Sequence, residues 1–188
     1  MKKMICVFFL SILIGRESQS QSTPDMAMIR DSMFLFEMGT DIFPLVVDYS
    51  KSLDLMIRSV TSTTQVAPLY PAKFSWPPEL IGQKVHCTAV LFHFSLNFSG
   101  EYAVGEMEKA GYRPATLAEL LAYGKDKWDG RGLVVALGSV YWSDSRGGHN
   151  LVPILDGFMG SRTLGISDFD GPWKGPWEYY YRFLAIRK

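Results

Sequence analysis

Cysteine is scarce in this chain: Cys6 and Cys87 are the only two among 188 residues, and Cys6 falls inside an apolar N-terminal run. With Cys87 alone beyond that run, no intramolecular disulfide can form there and no four-cysteine zinc site can be built. The Cys87 thiol reads as a small buried hydrophobe within a strand. Histidine is equally sparse, with only His86, His93 and His149. By strand parity His86 and His93 lie on opposite faces, so three imidazoles do not converge. No metal and no cofactor are expected. The formal charge is zero, which excludes the broad positive field a nucleic-acid partner needs. No apolar run reaches the roughly 20 residues of a membrane-spanning helix.

What is present at the N-terminus is a leader pattern. Lys2 and Lys3 precede an apolar run from Met4 to Ile14, and Ser18 and Ser20 supply the small residues of a cleavage site. Residues 1–20 therefore read as a secretory signal, which places the mature chain in a secreted, periplasmic or cell-surface location with no stable membrane span. Cys6 lacks the small residues that precede a lipid-modified cysteine. Without Lys2, Lys3, Arg16 and Glu17 the chain carries 16 basic and 18 acidic residues, a charge of −2.

Residues 21–40 mix Ser, Thr and Pro with Met26, Met28, Met33 and Met38 in no clean period, and read as a linker or arm. An N-terminal strand–helix–strand section over 41–98 follows. Ile42 to Val47 predicts a strand with Pro44 at its edge or start. Ser50 or Ser52 is placed to cap a helix bearing Leu53, Met56, Ile57 and Val60. Thr61 to Pro78 reads as a long loop, and Val85 to Phe94 as the strongest strand. Ser99 then caps a helix through Ala110, closed by Gly111. Thr116 and Glu119 stand at capping-box spacing, so a second helix starts at Leu117, buries Leu117, Leu120 and Leu121, and ends at Gly124. Beyond it, short strands at 133–137, 140–143, 151–155, 162–166 and 179–186 alternate with glycine turns.

The Gly111-Tyr112-Arg113-Pro114-Ala115-Thr116-Leu117-Ala118-Glu119-Leu120-Leu121 segment, Tyr141-Trp142-Ser143 and the closing Arg182 to Arg187 strand resemble the signature segments of bacterial surface and secreted domains with a C-type-lectin-like fold. The whole chain also resembles a family of hypothetical proteins from candidate-phylum bacteria, to which no activity is attached. The first resemblance implies an α+β, C-type-lectin-like class: two helices packed on a small antiparallel sheet with long loops over 99–188, forming one unit with 41–98. It implies binding of protein or glycan through C-terminal loops, as in targets of diversity-generating retroelements. The calcium and sugar motifs of true C-type lectins are missing, and so are the C-terminal cysteines of the formylglycine-generating branch. A fold of this kind does not select a function by itself.

The candidate contact residues are Trp173, Trp177, Tyr179, Tyr180 and Tyr181, with Asn150 and Asp168 near them in sequence. Tyr and Trp give large contact area for little lost conformational freedom. Gly171, Pro172, Gly175 and Pro176 enforce an irregular loop around the tryptophans, which either display a ligand face or fold back as lids over the core. Asp168, Asp170 and Gly171 lack the rest of a calcium loop. Asp156 and Glu178 have the residue types of a glycosidase acid and base, but nothing in the sequence fixes their separation, and random surface carboxylates explain them better. Arg113 and Arg182 read as scaffold residues, each pairing with a buried carboxylate or a backbone carbonyl. The functional expectation is a non-enzymatic binding or display protein. The alternatives are a small extracytoplasmic hydrolase and an envelope structural protein.

Overall fold

The computed structural model describes residues 36–61, 74–95, 97–144, 148–158, 160–172 and 175–188. The leader, most of the arm and most of the 61–78 loop lie outside these residues, as does Trp173. Strands are β1 (Phe36–Asp48), β2 (Lys84–Phe94), β3 (Tyr112–Pro114), β4 (Gly132–Val135), β5 (Tyr141–Ser143), β6 (His149–Phe158), β7 (Ser161–Asp168) and β8 (Tyr181–Arg187). Among the described residues the α-helices are α1 (Leu53–Arg58), α2 (Gly100–Lys109) and α3 (Leu117–Asp126).

All eight strands join one sheet in the order β1-β2-β8-β4-β6-β5, with β3 added to β8 and β7 to β6. Most pairs are antiparallel, but β4 runs parallel to β8. This corrects the expected C-type-lectin-like α+β arrangement of two helices on a small antiparallel sheet. The sheet is mixed, dominates the described residues and runs through both the 41–98 and 99–188 segments, with three short α-helices among those residues. The reason is physical: β8 is apolar at Phe183, Leu184, Ala185 and Ile186, on both faces, and all four are buried. A strand of that kind belongs in the middle of a sheet covered on two sides.

Alternation along the strands divides the interior into two cores. One face carries Leu45, Val47, Ala89, Val134, Leu155, Leu164, Leu184 and Ile186, and packs against Met56 and Ile57 of α1 and Leu117, Leu120 and Leu121 of α3. The other carries Val90, Phe92, Val135, Val152, Ile154, Tyr181 and Phe183, and packs against Ala103 and Met107 of α2 and against Trp177.

Local chemistry sets the helix ends. Ser52 Oγ accepts from Leu55 N–H, and Ser99 Oγ accepts from Tyr102 N–H. Gly111 closes α2 at φ +84°, a conformation glycine adopts at little cost. At Thr116 the Glu119 carboxylate accepts the cap N–H at 2.7 Å and the Thr116 hydroxyl at 3.0 Å. Gly124 does not end α3, which continues to Asp126. A Cβ there would stand 2.7 Å from Val60 Cγ1 and 2.8 Å from Leu155 Cδ1, so the missing side chain serves close packing instead. Arg162 of β7 ties this corner together. Its Nη2 donates to the Gly124 and Trp128 carbonyls, and its guanidinium lies 4.9 Å over the Trp128 ring. No helix among the described residues is long and apolar enough to cross a membrane.

Candidate functional site

The loop after β7 is built by its own tight turns. Gly171 has φ +122°, and a Cβ at that position would run into the Gly175 carbonyl. This brings Trp177 back beneath the sheet. Its backbone exchanges two hydrogen bonds with Phe98, and its Nε1–H donates to the Phe169 carbonyl at 2.8 Å. The indole is fully buried, with ring contacts to Tyr181 and Phe183 at 4.9 and 5.3 Å. Trp177 is therefore the lid of the second core and not part of a contact face.

The tyrosines after it divide in the same way. Tyr181 begins β8 and is buried, whereas Tyr179 and Tyr180 are 62% and 45% exposed. Their rings form a continuous series, Tyr179 to Tyr180 at 5.7 Å and Tyr180 to Tyr181 at 4.7 Å. The Glu178 carboxylate bonded to the Tyr180 hydroxyl holds it far above the ordinary tyrosine value, so it stays protonated as a donor. Burial pushes the Tyr181 hydroxyl up; the hydrogen bond with Tyr180 acts against this, and the charges of Glu178 and Asp156 add to it.

Beside Tyr181 the sheet is uncovered. A groove of about 320 Å³ lies there, lined by Asp156, Thr163, Ser167, Asp168, Pro172 and Tyr181 over a floor that includes Leu133, Ile154 and Gly165. Register explains the grouping. Leu133 of β4 pairs with both Asp156 of β6 and Tyr181 of β8, and Asp156 pairs with Thr163 of β7. Directly paired residues share a face, so a carboxylate, a hydroxyl and an aromatic ring meet on one side of the sheet.

Of the seven expected contact residues, Tyr181 and Asp168 border this groove and Tyr180 and Tyr179 continue from it. Asp168 is already engaged, with Oδ1 3.0 Å from His149 Nδ1. Asn150 is exposed on β6 opposite Trp142, farther along the strand. Trp173 lies outside the described residues. Thr163 and Ser167 carry no sequence signal of their own. Asp156 and Glu178 emerge from the sequence only as an unlinked pair, yet both act on Tyr181. Strand parity across β6 would have found the Asp156 face, because Ile154 is apolar two residues before it.

A second polar cluster is scaffold. Arg113 grips Glu119 with Nη1 at 3.0 Å and Nη2 at 2.6 Å, and Arg182 Nη2 donates to the Arg131 carbonyl at 3.0 Å, as the sequence leads one to expect of both arginines. Cys87 sits half-buried near this pair. Burial and the Glu119 charge push its thiol up to about 11, which makes it a poor thiolate nucleophile. No family model, no curated protein and no solved structure matches the chain.

Proposed function

We propose that the protein is an exported, non-enzymatic binding protein that holds a protein or glycan ligand in the sheet groove beside Tyr181, with Tyr179 and Tyr180 as its exposed rim. The observation that carries this reading is the groove itself, about 320 Å³ with two carboxylates, two hydroxyls and a tyrosine on rigid strands. A few directed polar groups over an apolar floor are what a ligand site needs for orientation. Exposed tyrosines on a rigid rim add contact area at small entropic cost. Export rests on the leader pattern of residues 1–20. The protonated Cys87 thiol favours binding over thiol chemistry.

The test is a screen of labelled protein on glycan and secreted-protein arrays, with each hit titrated calorimetrically. At least one ligand is expected whose affinity falls about tenfold in Asp156→Asn and in Tyr180→Ala, the size of a modest hot-spot loss. The absence of hits on both arrays, or hits indifferent to both substitutions, contradicts the proposal.

A further inference from the structure

A second cavity, of about 140 Å³, opens on the opposite face of the sheet and is lined by Tyr49, Phe74, Trp76, Leu117, Ala118 and Ser139, among others. Its aromatic walls are held in place from behind. The Trp76 ring stands edge-on to Tyr49 at 5.7 Å and 86°, and its Nε1–H donates to the Lys51 carbonyl at 2.9 Å. Phe74 leans edge-on against Tyr141 at 6.0 Å.

Several polar groups around the start of α3 are already paired. The Thr116 N–H and hydroxyl go to Glu119, which also takes both Arg113 bonds. The Leu117 N–H donates to Ser139 Oγ at 2.8 Å. None of the described residues lining the cavity is charged, so no cation at its wall offsets the cost of taking an anion out of water. Because the Ser139 oxygen accepts from Leu117, its own hydroxyl proton lies away from that N–H and supplies one directed donor. An apolar cavity of about 150 Å³ stays dry and takes up benzene, so this volume suits a single six-membered ring with a small substituent. Edge-to-face packing against Tyr49, Trp76 and Phe74 suits the same shape.

We propose that this cavity is a binding site for one neutral aromatic ring bearing a hydrogen-bond acceptor, a molecule of phenol size. It is independent of the groove on the other face. The experiment titrates isotope-labelled full chain with phenol, benzene and benzoate while following backbone amides and the Trp76 indole by NMR. Phenol and benzene are expected to give saturable shifts at Thr116, Leu117, Ala118, Ser139 and Trp76, with benzoate at least tenfold weaker. Ser139→Ala is expected to weaken phenol by about three- to tenfold, the worth of one hydrogen bond, and to leave benzene unchanged. No saturable shift with phenol or benzene overturns the site, and benzoate binding as tightly as phenol overturns the neutral-ligand class. Phenol affinity unchanged in a folded Ser139→Ala protein removes the directed donor and with it the acceptor requirement. If that variant does not fold, the three titrations of the unaltered chain decide.

Discussion

Glu119 is 4% exposed and accepts from four donors: the Thr116 N–H and hydroxyl and two Arg113 nitrogens. It joins the start of α3 to β3. Removing a buried partner leaves the other charge uncompensated, at about 3–5 kcal/mol when both are dry; the Arg113 side chain is 42% exposed, which reduces that cost. Glu119→Ala is expected to destabilise by roughly 2–3 kcal/mol in denaturant melts, with Arg113→Lys costing less. The same neighbourhood fixes a pH dependence. The Cys87 thiol rises from 9.0 to about 11 on folding, and the Tyr49 hydroxyl is also raised, first by burial and then by Glu119. Above pH 9 the unfolded chain gives up the thiol proton while the folded chain retains it, so stability is lost as pH rises through 9 to 11. Cys87→Ala should flatten that loss in thermal melts, and an equally steep curve would remove the thiol as its source. Arg113 and the Thr116–Glu119 spacing were legible because they depend on local geometry. The closeness of Cys87 and Tyr49 to that pair was not, because only the sheet pairing creates it.

At the scale of elements, two helix glycines with identical intrinsic preferences have opposite surroundings. Gly124 of α3 faces Val60 and Leu155 at distances no Cβ can occupy, whereas a Cβ at Gly105 of α2 meets nothing within 4 Å. Replacing glycine by alanine inside a helix gains about 1 kcal/mol from propensity, and overpacking costs about 1–3 kcal/mol. Gly105→Ala should raise the denaturation midpoint, and Gly124→Ala should lower it despite the propensity gain. From sequence alone Gly124 reads as a helix end because glycine is a common stop signal; a packing glycine looks the same until the neighbouring strand is known. The strands were legible at their apolar centres. Their lengths were not: β1 and β6 extend through Met38 and His149, where pairing with β2 and β5 outweighs local preference.

For the whole molecule, the aromatic C-terminus separates into a structural part and a displayed part. Trp177 is fully buried and Tyr180 is 45% exposed, although only two residues lie between them. Trp177→Ala should cost about 3–5 kcal/mol by opening a cavity in the second core, while Tyr180→Ala and Tyr179→Ala should change stability by no more than about 0.5 kcal/mol. Calorimetric melts of the three variants distinguish these outcomes. Composition and turn chemistry show that this region is irregular and aromatic, but not which rings point inward. That depends on the Gly171 turn, which carries Trp177 to Phe98 and Phe169. The one-sheet architecture was hidden for a related reason, since the parallel β4–β8 pairing joins strands about fifty residues apart and leaves no local trace. The most direct measurement is an amide-shift map of the labelled protein with the array-selected ligand. The account predicts saturable changes clustered at 154–156, 163–167 and 179–181, with α1 and α3 silent; changes concentrated on α1 and α3, with that groove unmoved, would contradict it.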